Sequence, residues 1–357
     1  MSYSDKKHMP PNSDNYDYTA ISPQELPYLK LEALEGRPIP IHMFHDGNRW
    51  HLWLPLKNGF LQPVRVHDCV EMVYLAPKPV RVSDAYFSFV DFIYKHIDLK
   101  HTRSFVSALT SDVFNLGASL RKLDLLRAFE NFEGKSRLVM TELEYLLLLC
   151  RSMFDLLQEI SSRIWDTVQL LDTSIKKRKL PSSFRNVVLH QNNIQSPEEI
   201  QNRFGLPSSL SLWYFECAPF FCKLRDVRDA IVHQPIQEPL IYIDHRGFFI
   251  GVDSSPVQFR EIMKWPEHIL ENERIGPLNY FVAYLINETL AACEKFVVAI
   301  TREIKFAPDF APNFRFFMRS PSTASLLGLK RILTLDPWAE FTLSEKLLAE
   351  QYSSKKS

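Results

Sequence analysis

An arginine followed five residues later by a histidine is the pattern in this chain most able to do chemistry. A guanidinium stays charged and can hold a phosphate through two parallel hydrogen bonds. An imidazole changes protonation near neutral pH and can act as a general acid or base. Together these two groups are sufficient for metal-free attack on an RNA phosphodiester. Three of the eleven histidines have such a partner, in the pairs Arg37/His42, Arg185/His190 and Arg228/His233.

The pair Arg228/His233 has the strongest context, because it ends a long helical pattern that begins near residue 209 and is limited by Pro235. Asp229 lies one helical turn before His233 and can orient its ring. We therefore predict Arg228, His233 and Asp229 as catalytic residues. The competing interpretation is an amphipathic helix end at which the histidine interacts with the helix dipole.

The other two pairs differ in how well a helix could position them. Arg185/His190 is the alternative catalytic pair, and it lies in a short segment between Pro181 and a polar loop. Arg37/His42 is interrupted by prolines at positions 38 and 40, which exclude a helix. We set that pair aside.

A polar stripe interrupts the most apolar helical pattern, which begins near Met140 and is expected to continue to about Lys179. Its members fall within roughly 40° of one another around the helix axis. They are Glu144, Arg151, Asp155 and Ser162. One interpretation is a structural Arg151–Asp155 ion pair on a solvated face. The other is that Glu144, Arg151 and Asp155 face the helix that ends at His233 and support a phosphate site.

Composition restricts the class of protein. The 357 residues carry no net charge, which argues against a protein that coats nucleic acid, and Lys176–Lys179 is the only dense basic run. No apolar run is long enough to span a membrane. The five cysteines show no zinc spacing. We expect a cytoplasmic protein.

Cofactor and metal motifs are not found. There is no glycine-rich phosphate loop, no GxSxG and no HExxH. His42, His45 and His51 are better explained as surface residues than as zinc ligands. No cofactor and no metal are predicted.

The chain divides into four segments. Residues 1–25 are polar and expected to be disordered. Residues 26–82 predict a small β-rich module, and residues 83–305 a helical bundle with a β-hairpin insertion at about 239–252. Residues 306–357 form an aromatic, partly disordered tail that packs either on the body of the protein or on a partner.

The motifs Arg151-Ser-Met-Phe-Asp155 and Arg228-Asp-Ala-Ile-Val-His233 resemble those of HEPN (higher eukaryote and prokaryote nucleotide-binding) domains over roughly residues 100–303. The resemblance implies a mainly α fold, a HEPN-like helical bundle carrying the small β-rich module and the hairpin. It also implies a site completed by homodimerisation. A HEPN subgroup has a tyrosine two residues after the histidine, but this chain has Pro235 there, so modification of that tyrosine is not expected.

Many HEPN domains are metal-independent endoribonucleases in phage defence or toxin systems, so the resemblance implies cleavage of single-stranded RNA. In that mechanism His233 takes the proton of the ribose 2′-OH, and Arg228 neutralises the charge growing on the phosphoryl oxygens. The alternative is a non-catalytic RNA- or protein-binding helical scaffold that uses the bundle and the aromatic tail to hold a partner.

Overall fold

A computed structural model describes residues 17–34, 37–129, 133–233, 239–253 and 255–344, with the side chains of residues 231–233 excepted. Helices make up about 48% of it and strands about 15%. The fold is therefore mixed α/β, and the expected mainly α class is too narrow. The difference arises because short strands also connect the helices, in addition to those of the N-terminal module.

The described chain contains helices and short strands that alternate along the sequence. The helices are α1 Ser88–His96, α2 Arg103–Ala128, α3 Lys135–Trp165, α4 Phe184–Val188, α5 Pro197–Phe204, α6 Ser208–His233, α7 Val257–Ile262, α8 Leu278–Thr301, α9 Thr323–Leu327 and α10 Leu329–Thr334. The strands are β1 Phe44–His45, β2 Trp50–Pro55, β3 Leu61–Val66, β4 Met72–Ala76, β5 Gln169–Leu170, β6 Leu189–His190, β7 Asn193–Ile194, β8 Ile241–Asp244, β9 Gly247–Gly251, β10 Ile275–Pro277, β11 Ile304–Lys305 and β12 Arg315–Arg319. None of the described helices is long and apolar enough to cross a membrane.

Helix α3 is the centre of the helical core and packs against α2, α6 and α8. Its apolar residues recur at the spacing that places them on one side of a helix, and that side is fully enclosed. The enclosed residues include Leu143, Leu146, Leu147, Cys150, Met153 and Leu157. Tyr214 of α6 donates a hydrogen bond to the Gln158 side chain at 2.7 Å, which fixes α6 against α3.

The end of α3 differs from its prediction, since the helix ends at Trp165 and does not reach Lys179. Lys177 lies in the segment that follows, and its ammonium donates to the carbonyl oxygens of Trp165 and Val168, at 2.7 Å each. A cation satisfies carbonyls at a helix C-terminus whether it lies within the helix or folds back from beyond it. The basic run therefore compensates the helix end from a loop.

The N-terminal module is a five-stranded sheet in the order β12-β4-β1-β2-β3. Strand β12 comes from the C-terminal part of the chain and pairs antiparallel with β4, from Arg315 opposite Ala76 to Arg319 opposite Met72. Phe316 and Phe317 are buried by this pairing. Residues 306–344 of the aromatic tail thus pack on the body of the protein.

The first described residues also belong to this sheet. Ile21 exchanges two backbone hydrogen bonds with Leu61, at 2.9 and 2.8 Å, although disorder was expected up to residue 25. Leu26 and Tyr28 follow in the core beneath the sheet. Apolar residues so close to Ile21 explain why this polar stretch is held in place. Residues 1–16 and 345–357 lie outside the described part of the chain.

A buried ion pair fastens β12 to the module. Arg319 is only 2% exposed and Asp84 only 1%, and two guanidinium nitrogens contact the carboxylate at 3.0 and 2.7 Å. Asp84 also accepts a hydrogen bond from the Tyr74 hydroxyl at 2.6 Å. The guanidinium lies over the Trp50 ring at 4.8 Å. Charges so deeply buried are tolerated because each one is fully partnered.

The hairpin predicted for residues 239–252 is present as β8 and β9, with Asp244 paired to Gly247 across the turn. Gly247 has φ +135°, a backbone conformation that a side chain would strain. Strand β10 adds to β9 and leads directly into α8. The hairpin is therefore part of a three-stranded sheet and is not an isolated insertion.

Two histidines are buried where the module meets the helices, and one of them is His42, for which the prediction of a surface position is wrong. The His42 ring lies 4.8 Å from Phe316 and 6.1 Å from Phe310. Burial, reinforced by the charge of Arg103, lowers the pKa of His42 to about 4. His96, the last residue of α1, packs on Phe92. Burial is also the main reason why the pKa of His96 is lowered to about 4. Arg37 and Lys95 add to that effect, while Asp309 opposes it.

We expect the protein to lose stability as the pH falls from about 6.5 to about 4. In this window the unfolded chain protonates both histidines while the folded chain keeps them neutral, so acid favours unfolding. The cost is on the order of 2 to 3 kcal/mol for each histidine. Urea unfolding followed between pH 7.5 and pH 4 measures it. The His96→Asn variant should show a shallower pH dependence than the wild type, and identical slopes would contradict the assignment.

Candidate active site

Helix α6 carries the predicted catalytic residues on the border between its buried and its exposed sides. Phe221, Leu224 and Val227 are completely buried against the bundle. Arg228 and Asp229 follow directly on α6 and are 30% and 36% exposed. Because the apolar side of α6 packs against the bundle, Arg228 and Asp229 lie at the edge of the core. Their charged groups are partly exposed there.

Asp229 is held by two arginines of its own helix. Its carboxylate receives a hydrogen bond from Arg228 at 2.9 Å and one from Arg225 at 3.3 Å. Burial by itself would raise the pKa of Asp229, but the hydrogen bond from Arg228 and the charges of Arg225, Arg228 and Arg151 together lower it. Asp229 is therefore an anion that orients guanidinium groups.

Two members of the stripe on α3, Arg151 and Asp155, lie on the helix that packs against α6. Arg151 and Asp155 form an ion pair at 3.4 Å. Helices α3 and α6 pack against each other, and across this interface the charge of Arg228 acts to lower the pKa of Asp155 and the charge of Arg151 acts to lower the pKa of Asp229. The structure thus places the Arg151–Asp155 pair and the Arg228–Asp229 pair on two packed helices. The two pairs are distant in the sequence, and only the tertiary fold connects them.

The two carboxylates differ in their environment. Burial raises the pKa of Asp155, against the opposing effects of Arg151, a hydrogen bond from the Phe184 backbone N–H, and Arg228. The pKa of Asp229 is lowered. Carboxylates with pKa values displaced in opposite directions are typical of acid–base sites, although structural ion-pair networks can produce the same effect.

Both arginines retain unused donor capacity. The Nε atoms of Arg151 and Arg228 are buried and have no hydrogen-bond partner. A buried N–H without an acceptor is costly, and a phosphate oxygen is a strong acceptor for it. Each of the two arginines, on different helices, therefore keeps one donor that no group of the described residues satisfies.

The other predicted residues on these two helices are His233 on α6 and Glu144 on α3. His233 is the last residue of α6, one turn after Asp229, and its side chain lies outside the described part of the structure. Glu144 lies two turns before Arg151 on α3 and is half-buried.

The alternative pair is separated by a change of secondary structure. Arg185 belongs to α4, whereas His190 belongs to β6, and both are exposed. Arg185 donates a hydrogen bond to the Asn192 side chain at 3.1 Å. The two residues thus lack the shared helix and the buried support that position Arg228.

A further carboxylate, on α2, has no sequence signal. Asp112 on α2 is half-buried, and its Oδ2 has no hydrogen-bond partner. Burial raises its pKa, and the Ser152 side chain, next to Arg151, lowers it by hydrogen bonding. Within the described ranges, no group of three or more His, Cys, Asp and Glu side chains could hold a metal ion.

No family model, no curated protein and no solved structure matches this chain. The resemblance to HEPN domains therefore depends on the two motifs at Arg151–Asp155 and Arg228–His233. What the structure contributes is the juxtaposition of those motifs on α3 and α6.

Proposed function

We propose that this protein is a HEPN-like, metal-independent endoribonuclease that cleaves single-stranded RNA at the group formed by Arg151, Asp155, Arg228, Asp229 and His233. The observation that supports the proposal is that Arg151 and Arg228 lie on the packed helices α3 and α6 and that each has a buried Nε without a hydrogen-bond partner. Two such donors from separate helices suit a phosphodiester better than an isolated ion pair would.

In the proposed reaction His233 accepts the proton of the ribose 2′-OH, and the 2′-oxygen attacks the phosphorus. The bond from phosphorus to the 5′-oxygen breaks, and that oxygen leaves with a proton from solvent. Arg228 neutralises the charge on the phosphoryl oxygens, with Asp229 orienting its guanidinium. The products are a 2′,3′-cyclic phosphate and a 5′-hydroxyl end. By the same resemblance the site is completed in a homodimer and serves phage defence or a toxin system.

We expect the purified protein to cleave single-stranded RNA in the presence of EDTA and to leave cyclic phosphate ends. The proposed chemistry uses an imidazole and a guanidinium only, so chelation should leave the rate unchanged. Mass spectrometry of the products measures the end group. His233→Ala should abolish cleavage, and His190→Ala should leave it intact. Loss of activity in His190→Ala alone would move the site to Arg185 and His190.

A non-catalytic scaffold is the second candidate, and a specific observation favours it. Apolar side chains are exposed on adjacent elements, at Leu138 and Leu148 of α3 and at Tyr242 and Ile243 of β8. Such side chains suit a protein partner. The aromatic tail does not supply this surface, because β12 buries it in the sheet. If wild type, His233→Ala and His190→Ala are equally inactive on RNA, this candidate replaces the nuclease.

A further inference from the structure

The segment that follows α3 is fixed to the fold by two of its basic residues. We call residues 166–180 the strap. Arg178 lies in it, and its carbonyl oxygen accepts a hydrogen bond from the Trp165 indole N–H at 2.9 Å, while its guanidinium donates to the Asn202 carbonyl oxygen at 3.0 Å. Lys177, beside it, donates to the carbonyl oxygens at the end of α3. These two basic residues therefore fix the path of the strap.

The other two basic residues of the strap have no such structural task. Lys176 and Lys179 are exposed, and among the described residues neither ammonium takes part in an ion pair or a hydrogen bond. The end of α3 does not need them, because Lys177 already compensates its carbonyls. A fixed backbone therefore presents two uncompensated charges to solvent.

Two further cations lie where α8 ends. Strand β11 follows α8 and pairs antiparallel with β5, so that Lys305 lies opposite Gln169 in the strap. Arg302 lies between the end of α8 and β11. Both side chains are exposed, and within the described ranges neither has an ion-pair partner. We call the four residues Lys176, Lys179, Arg302 and Lys305 the basic end.

The acidic residues of this region do not balance its cations. Residues 166–180 and 302–305 carry six basic and three acidic side chains, whereas the whole chain has 42 of each. Asp172 accepts hydrogen bonds from the backbone N–H and the hydroxyl of Ser174, at 2.9 and 2.6 Å. Glu303 accepts one from the Ser209 backbone N–H at 3.2 Å. The excess of positive charge is therefore local, on a chain that has none overall.

Helix α3 connects the basic end with the candidate site. Arg151 lies fourteen positions before Trp165, the last residue of α3, which corresponds to about 21 Å along the helix axis. The phosphates of one strand repeat about every 3.4 Å along a stacked nucleic acid. A strand of about six stacked nucleotides, or fewer when it is extended, therefore covers this distance.

We propose that the basic end binds the phosphate backbone of single-stranded RNA and so positions the strand that is cleaved at Arg151 and Arg228. The choice of RNA as the polyanion rests on the proposed nuclease function. A small anion needs donors that converge on one point, whereas a polyanion can contact cations that are spread over a surface. Contacts to phosphates carry no sequence information, so the basic end adds affinity without sequence preference.

Fluorescence anisotropy of the full chain with a labelled 2′-O-methyl oligonucleotide of about twelve nucleotides tests the proposal. This probe lacks the attacking 2′-OH, so it reports binding without cleavage. The double variant Lys176→Gln/Lys179→Gln should bind it about tenfold more weakly or worse at low salt. The slope of log K against log salt should fall by about 1.4, because each phosphate contact of a single strand contributes about 0.7. Both side chains are exposed, so thermal unfolding should stay near that of the wild type.

The matched control is Lys57→Gln/Lys78→Gln, which removes two exposed lysines from the N-terminal module. It should keep the salt slope and the affinity of the wild type. An equal loss in both double variants would show that only net charge matters and would overturn the proposal. A wild type that does not bind the oligonucleotide would overturn it as well.

Cleavage of the corresponding unmodified RNA separates this inference from the proposed nuclease. In Lys176→Gln/Lys179→Gln the KM should rise about tenfold while kcat stays unchanged, because binding is lost and the reacting groups are intact. If the wild type cleaves RNA and the double variant binds and cleaves identically, the basic end is refuted and the nuclease stands. If the wild type binds the oligonucleotide, the double variant does not, and no RNA is cleaved, the basic end stands and the nuclease is refuted.

Discussion

Replacing Arg228 with alanine is expected to reduce RNA cleavage about a hundredfold or more, which is the usual effect of removing one donor that stabilises developing charge. The stability of the fold should change little, since Arg228 is 30% exposed and Asp229 keeps its contact with Arg225. Single-turnover cleavage of a labelled RNA and thermal unfolding of the same preparations provide the two measurements.

The conservative variant separates charge from geometry. Arg228→Lys keeps the charge but removes the planar fork, so it should recover only part of the activity. Arg185→Ala is the matched control, because it removes the same type of side chain from the alternative pair. A variant Arg228→Ala that cleaves as fast as the wild type would exclude Arg228 from the reaction, whatever Arg185→Ala shows.

Arg319→Met is expected to destabilise the protein by about 3 to 5 kcal/mol, because removing one partner of a buried ion pair leaves the other charge uncompensated. Asp84 is 1% exposed and has no access to water that could replace the guanidinium. Urea unfolding measures the effect. Adding Asp84→Asn should restore part of the loss, since the uncompensated charge is then absent.

Arg81→Met is the control for that experiment. Arg81 contacts Asp68 through its guanidinium, but both side chains are about half exposed. Exposed pairs contribute at most about 1 kcal/mol. Equal destabilisation by Arg81→Met and Arg319→Met would mean that burial of the Arg319–Asp84 pair has no particular importance.

Long helices were predictable because their apolar period is local. The apolar pattern predicts one helix over about 102–130 and another from Gly276-Pro277 to about Ile304, and the structure has them at Arg103–Ala128 and Leu278–Thr301. The end of α3 was not predictable, because the apolar pattern has no strong stop signal before Pro181. The loop that follows satisfies the helix end through Lys177, which lies twelve residues beyond it.

The candidate site could be predicted only in part. The stripe on α3 and the charges on α6 follow from helical spacing, but their meeting is a property of how α3 and α6 pack. A cavity lined by Arg37, His96 and Phe310 had no local signal, because these residues come from three distant parts of the chain. Periodicity describes one element at a time and does not indicate which elements become neighbours.

The pairing of β12 with β4 has a consequence for how the protein is made. Residues 72 and 319 are neighbours in the sheet, so the N-terminal module cannot be completed until the ribosome has translated nearly the whole described chain. Contacts of such high contact order form late and slowly. Until then β4 presents an open edge that can pair with other chains. Chaperone dependence and aggregation during synthesis should therefore concentrate in the first hundred residues.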